Sequence, residues 1–268
     1  MRMPTMPGVL VKENDLVKLD YSNANDGYIT AWYKGSHDRR FKVKIEHQSG
    51  QGQNFDADRN GYPTVMPLCY GDGDYRISYL YQIQGKQYQP ISGAAMSVYL
   101  SSPHTSFLYP NTYAYYDSGS DCVAVANQLC AGMVSTVDKI AAIYQYIIDT
   151  QEYDFELARR LVETGEWWIP DPDEVIYAGK TICFGYSSLF AAMCRCLDIP
   201  CKIVVGQAAN MGCHAWNEVY SDSAANIDGI MIKAHDWTRL DITSMDAGHQ
   251  TGRDYALDCS NFSPDYYG

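Results

Sequence analysis

Three residues with reactive side chains follow one another in the second half of the chain: Cys183 in "TICFGYSS", His214 in "GCHAWNEVYS" and Asp241 in "HDWTRLD". A thiol, an imidazole and a carboxylate can act as nucleophile, general base and orienting group in acyl transfer. The imidazole takes the thiol proton, and the carboxylate fixes the imidazole tautomer. Each residue type alone is more often structural than catalytic, so the catalytic interpretation depends on the elements that position the three.

Cys183 falls in the first turn of a predicted helix. Thr181 is the candidate N-cap, and apolar residues surround the helix almost completely up to about Leu197, so we expect it to be central to its domain. Unpaired backbone N–H groups and the positive end of the helix dipole stabilise a thiolate at this end. Cys194 and Cys196 lie near the other end, where the same field disfavours a thiolate, and we interpret them as packing residues.

His214 and Asp241 are predicted to lie on neighbouring strands. Alternation puts His214 and Trp216 on one face of the first strand, and it puts Asp241 on one face of the second. The Asp-Gly pair at 228–229 suits a tight hairpin turn between them. A turn centred there, or one place earlier, keeps His214 and Asp241 on the same face, because strand side chains alternate with a period of two.

His235 and Asp236 offer an alternative base and orienting carboxylate. His235 lies at the start of the predicted strand, and Asp236 alternates to the face opposite Asp241. Asp236 should therefore not meet His214, and we favour the pair His214 and Asp241.

Metal-ligand patterns are weak throughout the chain. There are nine cysteines, so at least one thiol should be free, and the cluster in the second half lacks the paired spacing of a zinc site (Cys194, Cys196, Cys201 and Cys213). "DADRNG", with Asp56, Asp58, Asn60 and Gly61, is similar to the opening of a calcium loop, but Pro67 occupies the twelfth position, where a bidentate carboxylate is required. We interpret it as a turn rich in Asp and Asn, and we expect no metal and no cofactor.

Composition limits the partners and the compartment. The chain has 268 residues and a net charge of −12, which disfavours nucleic acid, and no apolar run is long enough for membrane insertion. A protein or peptide substrate is the expected partner. Neither the oligomeric state nor the localisation follows from the sequence; the chain as given has no export signal, and secretion or a cell-envelope location stays open if a leader was removed.

The pattern of the chain changes from short alternating runs to helical periodicity near residues 105 to 118. This change predicts an N-terminal β-sandwich-like domain over residues 1–110 and a catalytic domain over residues 111–268.

The motifs around the three reactive residues resemble those of the transglutaminase-like superfamily. "TICFGYSSLFAAMCRCLDIP", "HAWNEVY" and "WTRLDIT" are similar, in this order, to the cysteine helix, the "HAW" strand and the "W…LD.T" strand of that family. The resemblance spans residues 135 to 243. It departs at Asp198, which replaces the usual glycine of the turn, and at Phe184-Gly185, where many bacterial members have an acidic residue and an aromatic.

The resemblance implies an α+β fold with a papain-like transglutaminase core, in which a helix bearing the cysteine packs with an antiparallel sheet, preceded by the all-β domain. It implies Cys183 as nucleophile, His214 as base and Asp241 as third member of a triad. Upstream it extends to "YD" at 153–154. The backbone N–H of Cys183 is one expected oxyanion donor, and the candidates for a second donor or for the cleft are Tyr153, Trp167, Trp168 and Trp216.

The expected activity is thiol-dependent acyl transfer from an amide. Hydrolysis of a peptide or side-chain amide, as in a cysteine protease, is the first expectation. Transamidation of glutamine with an amine is the second, and a non-catalytic binding or scaffold protein with a vestigial triad is the third.

Overall fold

The structure, a computed structural model, describes residues 1–34, 40–57, 63–166, 168–246, 258, 260 and 262–268. Trp167 and four residues of the calcium-like turn (Asp58, Arg59, Asn60 and Gly61) lie outside the described residues. The chain divides into two compact units, Met3–Thr112 and Tyr113–Gly268, and Met1–Arg2 belongs to the second.

The unit Met3–Thr112 contains two four-stranded antiparallel sheets, which confirms the prediction of an all-β, sandwich-like module. One sheet has the order β1-β2-β3-β6 and the other β5-β4-β7-β8. Alternation explains the burial of β4, where Phe41, Val43 and Ile45 are buried and the lysines between them are partly exposed. The strands are β1 Val11–Glu13, β2 Val17–Asp20, β3 Tyr28–Tyr33, β4 Phe41–His47, β5 Gly52–Ala57, β6 Thr64–Pro67, β7 Gly73–Gln84 and β8 Gln87–Val98.

The unit Tyr113–Gly268 combines helices with a four-stranded antiparallel sheet of order β15-β12-β11-β16. Two small pairs complete it, the parallel pair β9–β10 and the hairpin β13–β14. Its helices are α1 Asp121–Leu129, α2 Thr136–Thr150, α3 Phe155–Thr164, α4 Pro172–Ala178, α5 Cys183–Cys196 and α6 Ile242–Met245. Its strands are β9 Glu152–Tyr153, β10 Lys180–Thr181, β11 Cys201–Ala208, β12 Gly212–Ser221, β13 Ala225–Ile227, β14 Ile230–Ile232, β15 Asp236–Leu240 and β16 Phe262–Tyr267.

Helix α5 is central to this unit, as the sequence predicts. Every residue from Gly185 to Cys196 is buried, and the helix packs against α1, α2, α4, β11 and β12. Even Arg195 has no exposed surface; its guanidinium donates to the carbonyls of Cys201, at 2.8 Å, and Gly268, at 2.7 Å. These bonds satisfy a buried cation and fix the C-terminal end of the helix to β11.

The predicted N-cap of α5 is wrong. Ile182 caps the helix without a side-chain hydrogen bond, and Thr181 instead belongs to β10, where its carbonyl accepts from the N–H of Asp154 at 2.8 Å. The preference of threonine for the cap position is thus outweighed by strand pairing. Cys183 is consequently the first residue of α5.

Of the two turn positions that the sequence leaves open, the structure has the one centred on Asp228-Gly229. In β12 and β15, Glu218 pairs with Arg239, and this register corresponds to a turn centred on Asp228-Gly229. Both turn residues have positive φ, 52° and 88°, as a tight type I′ turn requires. The strand assignment of Asp241 is corrected, because β15 ends at Leu240 and Asp241 is the N-cap of α6.

The described part of the chain contains no helix with the length and apolar character needed to cross a membrane.

Candidate active site

The half-buried thiol of Cys183 lies at the N-terminal end of α5. The short strand β10 leads directly into this position and is held in parallel pairing with β9, so that Thr181 lies opposite Tyr153. The first N–H groups of a helix have no intrahelical acceptor, so those of Cys183 and Phe184 are available to a ligand. The thiol is therefore next to backbone donors.

His214 and Asp241 form a buried hydrogen-bonded pair. Nε2 of His214 lies 2.9 Å from Oδ2 of Asp241, and the two side chains are 4% and 0% exposed. Because Nε2 is engaged by the carboxylate, Nδ1 is the ring nitrogen left for Cys183, whose side chain interacts with the ring. The structure thus brings Cys183, His214 and Asp241 together.

The electrostatics of this pair favour a charged imidazole. Burial lowers the pKa of His214, but the negative charge of Asp241, its hydrogen bond and the interaction with Cys183 outweigh burial and raise the pKa to about 10. Burial raises the pKa of Asp241, yet the charge of His214 and hydrogen bonds from His214 and Ser244 hold it below its usual value. At neutral pH the site therefore contains an imidazolium between the Asp241 carboxylate and the sulfur of Cys183.

Ser244 is a component of this site that the sequence analysis missed. Its hydroxyl donates to Oδ2 of Asp241 at 2.7 Å, and its backbone N–H donates to Oδ1 at 3.3 Å. The signal for it in the sequence is a serine three residues after an aspartate, a spacing that allows an N-cap bond but is too common to single out a site.

Aromatic side chains pack beside the imidazole. Trp216 lies nearly parallel to the His214 ring at 6.2 Å between centroids, and Phe262 meets Trp216 edge-on at 5.2 Å. Trp216 is only 2% exposed, so it forms a wall behind His214 and does not present a face to a substrate in the cleft.

Tyr153 lies close enough to Cys183 for their charges to interact. Burial and the neighbouring Cys183 raise the pKa of Tyr153 to about 12, so its hydroxyl remains a proton donor over the physiological range. Trp168 is half-buried in the segment between α3 and α4. Among the described aromatic candidates, Tyr153 is thus the one placed near Cys183.

The alternative pair His235 and Asp236 lies away from this site. Both residues are exposed, and Asp236 forms an ion pair with Lys233 at 3.3 Å. His235 adopts a positive φ of 56° immediately before β15.

The other helix cysteines have surroundings unlike that of Cys183. Cys194 and Cys196 are buried, and burial raises the pKa of both thiols, to about 12 for Cys196. Cys213 is exposed at the residue before His214, and partial burial together with the charge of Cys183 raises its pKa. Within the described ranges no three His, Cys, Asp or Glu side chains come together as a metal cluster.

One comparison with known proteins covers the segment that forms this site. Residues 123–242 match the model of the transglutaminase-like superfamily. Curated relatives include Kyphoscoliosis peptidase from Mus musculus, 31% identical over 97 residues, and from Homo sapiens, 30% identical over 95 residues. These alignments cover 32% and 31% of this chain and 14% of each relative, so the chain spans a small part of their length.

A similar solved structure is a candidate cysteine protease from Cytophaga hutchinsonii, with 16% identity and a TM-score of 0.45 over 97% of this chain and 74% of that one.

The family match contains Cys183, His214 and Asp241. The chain is therefore similar to the transglutaminase-like superfamily over residues 123–242.

Proposed function

We propose that this protein is a thiol-dependent hydrolase of peptide or side-chain amide bonds, with Cys183 as nucleophile, His214 as acid and base, and Asp241 as the orienting carboxylate. The observation that supports this most strongly is the position of His214. Its ring is held by Asp241 on one nitrogen and interacts with Cys183 on the other side, with a pKa raised to about 10.

The first half of the reaction follows from this arrangement. With the proton of the Cys183 thiol already held on Nδ1 of His214, the thiolate attacks the carbonyl carbon of the amide. The carbonyl π electrons move to the oxygen, giving a tetrahedral oxyanion. When this intermediate collapses, the C–N bond breaks, the leaving amine takes the proton of His214, and a thioester remains on Cys183.

Water completes the cycle. His214, now neutral, accepts a proton from water, and the resulting hydroxide attacks the thioester carbonyl. The C–S bond breaks, the carboxylic acid leaves, and the thiolate of Cys183 is regenerated beside the imidazolium. Asp241 keeps the imidazole in one orientation through both halves.

Two donors are proposed for the oxyanion. The backbone N–H of Cys183 belongs to the first turn of α5, which leaves it without an intrahelical acceptor. The Tyr153 hydroxyl is the second, because β9 pairs with the strand leading to Cys183 and the raised pKa keeps this hydroxyl protonated.

The choice of water as acyl acceptor is supported by the curated relatives, which are named peptidases. Transamidation remains the second candidate, because the matched family model is transglutaminase-like. Both reactions share the thioester on Cys183 and differ only in whether water or an amine resolves it.

Incubating the full chain with a glutamine-containing peptide library and a labelled primary amine distinguishes these reactions. We expect cleaved or deamidated peptides with no incorporated label, and expect the turnover to vanish in Cys183→Ser. The matched control is Cys69→Ser, because Cys69 is also a half-buried cysteine but lies in the other unit. If amine-linked product forms instead, hydrolysis is the wrong proposal and transamidation takes its place.

A non-catalytic scaffold is tested by alkylation with iodoacetamide at pH 6, followed by peptide mass spectrometry of each cysteine. We expect Cys183 to react at least about tenfold faster than the exposed thiol of Cys213, because only a thiolate reacts. If Cys183 reacts no faster than Cys213, the enzymatic proposal is wrong.

A further inference from the structure

Asp241 carries more hydrogen bonds than the pairing with His214 requires. Oδ2 accepts from Nε2 of His214 at 2.9 Å and from the hydroxyl of Ser244 at 2.7 Å, while Oδ1 accepts from the Ser244 N–H at 3.3 Å. Ser244 itself is fully buried. One residue therefore supplies donors to both oxygens of the carboxylate that holds the imidazole.

A buried carboxylate stays charged only if hydrogen-bond donors stabilise it, and it stays pointed at its partner only if its orientation is fixed. Solvent water cannot donate to Asp241, because its side chain is 0% exposed. The hydrogen bond from the imidazole does not by itself fix the orientation of the carboxylate, because the plane of the two oxygens can still rotate about that single bond. The hydroxyl of Ser244 bonds to the same oxygen as His214 and so selects that oxygen and its direction.

The backbone of α6 keeps this arrangement in place. Asp241 is the N-cap of α6, and Asp246 at its other end accepts a 2.6 Å hydrogen bond from the Tyr186 hydroxyl on α5. The short helix is therefore attached to the helix that begins at Cys183. Ser244 thus lies on a segment anchored at both ends.

We propose that Ser244 is a positioning residue of the triad, which keeps the Asp241 carboxylate ionised and directed at Nε2 of His214. This inference rests on the proposed function, because it assigns Ser244 a role through Asp241 and not by contact with substrate.

The test depends on the groups that shift the pKa values of Asp241 and His214. The pKa of Asp241 is lowered by His214 on β12 and by the donors of Ser244 on α6. The pKa of His214 is raised by Asp241 and by Cys183 on α5. Loss of the Ser244 hydroxyl raises the pKa of Asp241, because this hydrogen bond lowers it. Asp241 then becomes protonated at a higher pH, and a neutral carboxyl no longer stabilises the imidazolium that the thiolate needs.

The experiment measures the pH profile of Cys183 alkylation by iodoacetamide in the full chain, for wild type, Ser244→Ala, Ser244→Thr and Thr243→Val. Alkylation reports the thiolate directly and needs no knowledge of the substrate. Thr243→Val is the matched control, because Thr243 is buried in the same helix and no bond joins it to Asp241 among the described contacts. Circular dichroism and thermal melting establish that each variant is folded.

We expect Ser244→Ala to move the acid-side midpoint of the profile to higher pH and to slow alkylation up to about tenfold at pH values below the shifted midpoint, the order of magnitude of one hydrogen bond to a charged group. At pH 8 the rate should change much less. Ser244→Thr, which keeps a hydroxyl, should restore the midpoint, and Thr243→Val should not move it.

A folded Ser244→Ala variant with an unchanged midpoint would overturn the proposal even if its rate were lower at every pH. So would a shift of equal size in Thr243→Val, or a folded Ser244→Thr variant that fails to restore the midpoint. If wild-type Cys183 is no faster than Cys213 at pH 6, the proposed function itself fails, and that result is distinct from all of these.

Discussion

At the scale of single residues, the pairing of His214 with Asp241 decides the chemistry that the site can perform. The raised pKa of His214 means that the imidazole remains protonated beside the sulfur of Cys183 at neutral pH. In the proposed mechanism this proton is the one given to the leaving amine. Asp241 is the main cause of the rise, since burial acts in the opposite direction.

Replacing Asp241 by asparagine should reveal this contribution in the pH dependence of hydrolysis. In the wild type, His214 stays protonated until the pH approaches about 10, so kcat/KM falls only at strongly alkaline pH. Asp241→Asn removes the negative charge and leaves the burial effect, so the pKa of His214 falls and the base-side limb moves to lower pH. We expect kcat/KM at neutral pH to drop about 100-fold.

The control is Asp236→Asn, which neutralises an exposed carboxylate of the same hairpin. An unshifted base-side limb in Asp241→Asn, or an equal shift in Asp236→Asn, would contradict the assigned role of Asp241.

The sequence singles out three residues that the structure brings together, but it does not single out Ser244, which bonds to one of them. Cys183, His214 and Asp241 stand out because each has a reactive side chain and each lies in a distinct motif. Ser244 has no such signal, because its importance arises only when Asp241 leaves β15 and begins a four-residue helix. A helix this short shows no periodicity, so the sequence cannot predict it.

At the scale of elements, the close approach of β10 and the first turn of α5 fixes the position of the thiol. A Cβ at Gly185 would lie 1.8 Å from Oγ1 and 2.9 Å from Cβ of Thr181. Only glycine allows this approach. The departure from the bacterial family pattern at Phe184-Gly185 thus has a structural reason, because Gly185 accommodates Thr181 beneath the helix.

Gly185→Ala should force α5 and β10 apart. We expect the free energy of unfolding to fall by about 1 to 3 kcal/mol, as for other overpacked cores, and Cys183 alkylation at pH 6 to slow as the thiol leaves His214. Adding Thr181→Ala removes the nearest atom and should recover part of both losses. Urea denaturation and alkylation rates measure the two effects.

Gly119→Ala is the matched control, because its new Cβ would approach Asp117 Oδ1 only to 3.3 Å and the backbone there does not have a positive φ. A Gly185→Ala variant as stable and reactive as Gly119→Ala would show that β10 and α5 can separate without affecting the site.

At the scale of the whole molecule, the groups of the proposed site belong to one compact unit. Cys183, His214, Asp241, Ser244 and Tyr153 all lie between Tyr113 and Gly268. This unit has its own buried core around α5 and its own sheet. The change of sequence pattern indicates separate all-β and helical regions, but pattern alone does not predict that residues as distant as Arg195 and Gly268 meet.

A fragment comprising Tyr113–Gly268 should therefore fold and keep a reactive thiol, since a unit with its own core can fold independently. The fragment lacks the Met1 amine and Arg2, which pair with Asp198 at 3.3 and 3.2 Å, but such exposed pairs contribute little. We expect a cooperative thermal transition and Cys183 alkylation at pH 6 within about twofold of the full chain. A folded fragment with a slow Cys183 would mean that the residues before Tyr113 are needed to activate the thiol.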